Sequence, residues 1–278
     1  MNDVTPDNIA EGEETQDETL GTMSIIAHLT ELRNRIGIVF LGFIIVFIAC
    51  FIRPFGSDSA NIADIVYRFL QAPLADILLE RGGRMIFTGL HEGFFTQVKV
   101  AFFTSLCITF PLLLTQLWKF VAPALYKNEK GAFAPFLIAT PILFILGAAM
   151  VYYLVIPLAW QFFVSFENIG GAGALPIEVE PRISEYLSLV MRLMFAFGIS
   201  FELPVILLLL VRAGLATPEG LASKRKYAIL IAFVAAAILT PPDVISQVLL
   251  AVPVILLYEL SIIAARFIRR RADEEESW

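Results

Sequence analysis

Six stretches of this chain hold almost no charge: residues 36–52, 100–118, 131–166, 193–211 with Glu202 as its single charge, 227–242 and 244–258. Most approach the roughly 20 residues that cross a bilayer core as a helix. The third is too long for one span and contains Pro135, Pro141 and Pro157, so its helix is expected at about 132–156 and the remainder as an external segment. With 58% hydrophobic and 17% charged residues, the chain lies outside the range of soluble domains. The pattern predicts an all-α polytopic membrane protein with six transmembrane helices.

Charge then divides the chain. Seven acids and no base precede Leu20, and four acids occupy Asp273 to Glu276. Setting these aside turns the formal charge of −6 into a membrane body of about +5. Three regions are therefore expected: an acidic disordered tail at 1–22, a six-span membrane domain at 23–268 and a charged C-terminal tail at 269–278. An acidic, polar start is unlike a cleaved secretory signal. Thirteen Lys and Arg fall on the side shared by Arg33, Lys127, Lys224 and Arg269, against five on the other side, at Arg53, Arg68, Arg81, Arg84 and Arg182. The positive-inside rule places both termini in the cytoplasm of an inner-membrane protein. Cys50 and Cys107 lie within predicted spans and read as small packing residues.

Between the first two spans, Ile62, Ile65, Val66, Phe69, Leu70, Leu74, Ile77 and Leu78 form an apolar stripe at helical spacing. This predicts an amphipathic helix, kinked at Pro73, that lies on the outer surface or caps the bundle, with packing against its own spans as plausible as lipid contact. The last two spans, at 16 and 15 uncharged residues, are short, and Pro241, Pro242 and Asp243 join them. Such spans must thin the bilayer or be shielded by partners, and a re-entrant hairpin fits the same charges.

Glu202 is the strongest chemical signal, because a midplane carboxylate costs at least about 2.5 kcal/mol on insertion scales. It is expected to face a polar groove at the bundle surface. In-chain mates are few: Thr104, Ser105, Gln116, Thr140, Ser200 and Gln247. Glu31 and Glu129 sit near basic residues, and spacing alone favours local ion pairing. His28 and His91 lie outside the spans, no HExxH or phosphate-cradling loop occurs, and no catalytic, metal or cofactor site is expected. These residues leave open a proton-coupled transporter with Glu202 as carrier and a structural scaffold.

Specific strings narrow this. His28-Leu-Thr-Glu-Leu-Arg-Asn-Arg35, the run from Phe110 through Gln116, Trp118 and Pro123 to Lys130, Phe197-Gly-Ile-Ser-Phe-Glu-Leu-Pro204 and Leu239-Thr-Pro-Pro-Asp-Val-Ile-Ser-Gln247 occur in this order. Over about residues 24–268 the chain resembles TatC, the multispanning receptor subunit of the twin-arginine protein translocase. The resemblance implies a non-enzymatic core subunit that recognises twin-arginine signal peptides of folded cargo at the cytoplasmic face. It further implies assembly with single-span TatA- and TatB-type subunits, as a homo-oligomer within membrane lipid and without nucleic acid, for export driven by the proton-motive force. It marks Glu31, Leu32, Arg33, Pro123 and Glu129 for signal-peptide binding. It marks Glu202, Asp243 and Gln247 as intramembrane polar positions. A guanidinium binds a carboxylate through paired hydrogen bonds, so two carboxylates near one interface can select arginine over lysine.

Overall fold

The computed structural model describes residues 7–53, 59–80, 83–125, 134–165, 180–239 and 244–276. All regular structure among them is helical, apart from one isolated bridge between Ile86 and Arg182. The order is α1 (Asp7–Ala49), α2 (Ile62–Glu80), α3 (Glu92–Leu125), α4 (Ala134–Met150), a π-helical turn (Val151–Val155), α5 (Ile156–Val164), α6 (Ile183–Ser200), α7 (Leu203–Arg212), α8 (Pro218–Ser223), α9 (Arg225–Leu239) and α10 (Val244–Glu276). Among the described residues five stretches are long and apolar enough to cross a membrane: Leu29–Ala49, Glu92–Phe120, Pro135–Val164, Ile183–Arg212 and Gln247–Arg269. α9, at 15 residues, is shorter than these.

Three expectations about boundaries change. The third span does not stop at 156 but runs to Val164. Pro157 cannot donate to the preceding turn, and the wider π turn just before it opens the ladder where the ring enters, with Pro157 in the first turn of α5. The final span is not short. Its uncharged run ends at Glu259, but that carboxylate is held by Arg225 at 2.6 Å, and the apolar helix continues beyond it. The acidic stretch expected to be unstructured is helical from Asp7, and the C-terminal acids extend α10 to Glu276. Glu, Gln and Ala are favourable helix formers, and acids suit a helix N-terminus.

Helix α1 packs along α3 in antiparallel register, with Arg35 reaching Gln116, Gly42 against Leu112 and Cys50 beside Ser105. α2 then turns back over the bundle. Its Leu70, Leu74 and Leu78, one turn apart, are buried with Val151, Val155 and Leu187, so the stripe caps the protein's own core. Pro73 has no N–H for the carbonyl of Phe69; the Tyr152 hydroxyl donates to it at 2.8 Å, and Tyr186 donates to Leu70 at 3.0 Å. α4 and α6 cross at Gly147 and Gly198. A Cβ on Gly147 would stand 2.5 Å from the Phe197 carbonyl oxygen, and one on Gly198 would stand 2.4 Å from the Phe144 ring. Small residues at such crossings let helices approach without a hydrophobic driving force.

The loop end of the bundle is tied by polar contacts. Ile86 N–H donates to Pro181 O and Ile183 N–H to Ile86 O, both at 3.2 Å, joining the starts of α3 and α6. The Glu92 carboxylate accepts from Thr88 N at 2.8 Å, Gly89 N at 3.1 Å and the Ser184 hydroxyl. At the other end, α7 stops where Gly214 adopts φ +71°, and Leu215 N–H closes back on Leu210 O at 3.0 Å.

Candidate functional site

Two regions gather the singled-out residues. The first lies where α1 meets the end of α3. Glu31 binds Arg35, one turn on, through the guanidinium Nε at 3.0 Å and a terminal nitrogen, both on Oε1. Arg35 in turn donates to Gln116 Oε1 of α3 at 3.4 Å. The Glu31 side chain remains 46% exposed and that of Arg35 21%. Arg33 points away to Asn34 Oδ1 at 3.4 Å, and Leu32 is half-buried. The antiparallel register carries Glu31 to the level of the last turns of α3, where Pro123 lies in the backbone helix. Glu129 lies outside the described residues.

The second region is the deep acid. Glu202 is 2% exposed, so it faces no surface groove within the chain. It also does not sit in continuous helix. Glu202 N–H bonds to Ile199 O at 3.0 Å, one residue tighter than α-helical, and α7 restarts with Ile206 N–H on Glu202 O at 2.9 Å. Pro204, in the first turn of α7, cannot donate to the Ser200 carbonyl, so the ladder breaks there. Neither carboxyl oxygen has a hydrogen-bond partner among the described residues. Of the six expected mates, Thr104 and Ser105 bond carbonyls of their own helix at 2.8 and 2.7 Å. Ser200 bonds Ala196 O, Gln247 bonds Phe233 O, and Gln116 serves Arg35. Thr140 alone is buried and unpartnered, and its hydroxyl is the side chain close enough to act on Glu202, short of hydrogen-bond geometry.

Gln247 therefore ties α10 to α9 and is not brought to Glu202, while Asp243 lies outside the described residues. Sequence reasoning listed Arg35 and Gln116 but missed their link. The four-residue spacing of Glu31 and Arg35 gave the ion pair that the sequence reading expected; the Gln116 contact depends on register between two helices. The indole N–H of Trp118, buried near the same end of α3 and without a partner among the described residues, carried no such signal. Among the described residues no group of three metal-ligating side chains forms.

The family model of the Sec-independent protein translocase protein (TatC) matches residues 27–253. The chain is 48% identical over 253 residues to the Sec-independent protein translocase protein TatC of Magnetococcus marinus, covering 91% of this chain and 88% of that one. Its identity to the Escherichia coli protein of the same name is 40% over 246 residues, covering 88% and 89%. Among solved structures, the crystal structure of the twin arginine translocase receptor TatC matches with a TM-score of 0.71 at 39% identity, covering 86% of this chain and 98% of that one. The helix break at Glu202, a feature otherwise suited to a secondary carrier, thus belongs to a different kind of machine. The chain belongs to the TatC family, multi-pass membrane components of the Sec-independent protein translocase that are not enzymes.

Proposed function

We propose that this chain is the signal-receiving subunit of its translocase. It takes twin-arginine signal peptides of folded cargo at the cytoplasmic face and works with single-span TatA- and TatB-type subunits under the proton-motive force. The observation that carries this reading is the state of Glu31: an exposed carboxylate at the membrane edge already holding a guanidinium through two nitrogens. Its geometry suits arginine, and a signal arginine can replace Arg35 there. Glu129, Leu32, Arg33 and Pro123 extend the same surface in this proposal. Asp243 and Gln247 serve as polar contacts for the single-span partners, Glu202, enclosed at rest, joins them only when the break between α6 and α7 opens, and α9 makes a sixth span that brings both termini to the cytoplasmic side.

The test is binding of a twin-arginine signal peptide, and of its twin-lysine variant, to the full chain in lipid nanodiscs. The arginine peptide should bind more tightly. Glu31→Ala or Glu129→Ala should each weaken it by more than about 1 kcal/mol, or over fivefold, through loss of a charge-assisted bond. Equal binding of both peptides, or unchanged binding in both variants, overturns the reading.

A further inference from the structure

Between α3 and α6, two adjoining cavities of about 480 Å³ each share Lys99, Ser188 and Arg192. One runs toward the bundle centre and is walled by Phe102, Phe103, Leu106 and Phe195. The other opens toward the loop end, past Trp160 and Arg182. Lys99 is seven residues into α3 and Arg192 nine into α6, placing both roughly 10 to 13 Å below the helix ends at 1.5 Å per residue. Both are exposed among apolar side chains, and neither makes an ion pair among the described residues. Glu185, the carboxylate lining the upper cavity, is already held by Arg182 at 2.6 Å. The Ser188 hydroxyl donates to Ser184 O, so the charged donors left free here are Lys99 and Arg192.

Two unneutralised cations inside the apolar zone are costly unless they snorkel or meet an anion. The geometry points to a binding site for one anionic phospholipid, its phosphate between Lys99 and Arg192, its headgroup in the upper cavity and an acyl chain in the phenylalanine-walled groove. Basic pockets between spans take anionic headgroups in this way. Charge argues for this occupant: the one carboxylate in the lining, Glu185, is already paired, so two cations beside an apolar groove complement a single anion that carries an acyl chain, whereas a partner helix, about 10 Å across, does not fit a slot of this volume. The inference is independent of how signal peptides bind.

The test is native mass spectrometry of the full chain titrated with phosphatidylglycerol and with phosphatidylcholine of identical acyl chains. One phosphatidylglycerol should be retained preferentially. Lys99→Gln or Arg192→Gln should weaken it roughly fivefold each, and together remove the preference. Arg192→Lys, which keeps the charge, should hold the lipid and so separates charge from fold. A photoreactive group at Phe102 should crosslink lipid in native membranes. A preference unchanged in the double variant overturns the site, as does displacement of the lipid by millimolar inorganic phosphate or a crosslink from Phe102 to protein alone.

Discussion

Among the described residues both carboxyl oxygens of Glu202 lack hydrogen-bond partners, and Thr140 is the hydroxyl that stands near. A buried unpartnered polar group destabilises a fold by about 1 to 3 kcal/mol, so removing it should relieve the protein. The Glu202→Leu variant is expected to unfold in detergent at an unchanged or higher temperature. Export driven by that variant should fall sharply, with signal-peptide affinity within about twofold of the parent, because the site at Glu31 is remote. A large drop in melting temperature would instead make the acid part of the scaffold. Sequence position alone located this residue and named Thr140 among six mates. It did not expose the helix break, although Pro204 is the local cause, because a proline in a span is compatible with either a kink or a restart. Nor did it reveal that five of the six mates are engaged, since their bonds run mostly to backbone carbonyls that hydropathy does not register.

At the scale of elements, the crossing of α4 and α6 depends on two hydrogen atoms, those in place of a side chain at Gly147 and Gly198. Gly147→Ala presses a methyl onto the backbone of Phe197, which cannot swing aside, and should cost about 1 to 3 kcal/mol, read as a lowered melting temperature. At Gly198 the obstacle is the Phe144 ring, packed 4.6 Å from Phe110 and 6.0 Å from Phe195, so Gly198→Ala should be partly rescued by Phe144→Leu. Gly37→Ala, with open space around it, is the neutral control. Equal melting of Gly147→Ala and Gly37→Ala would show that the helices approach less closely than described. Helix existence was legible from uncharged runs, and helix ends were not. The α4 to α5 continuation rests on a π turn that no residue type announces, and the length of α10 rests on the pairing of Glu259 with Arg225. The stripe on α2 was legible down to its inward face, Leu70, Leu74 and Leu78, yet the rescue of the Phe69 carbonyl by Tyr152 spans 83 residues of sequence.

For the whole molecule, the question is parity. Five crossings put the termini on opposite faces, and six put them together; α9 decides. At 15 residues it extends about 22 Å against a core of about 30 Å, so it crosses only where the bilayer is thinned. In a background freed of Cys50 and Cys107, a membrane-impermeant thiol reagent should label a cysteine at exposed Asp76 from outside. Cysteines at Asn128 and Ser277 should react only once the cytoplasmic face is opened. Outside labelling at Ser277 would mean that α9 does not cross, and outside labelling at Asn128 would invert the protein. The Lys and Arg asymmetry of the loops is what predicts this orientation, and the labelling tests it, whereas span number was not legible because α9 is marginal by length.

The packing of α4 against α6 and α7 also bears on how the chain is made. Synthesis runs from the N-terminus, so Thr140, Phe144 and Gly147 are in the membrane before Glu202 leaves the ribosome. The segment holding that acid, 183–212, carries both Arg192 and Glu202 within its apolar run. It enters beside a wall already built to receive it. The residue least suited to lipid is thus delivered to shelter, and α4, ahead of it in the order of birth, acts as an intramolecular escort.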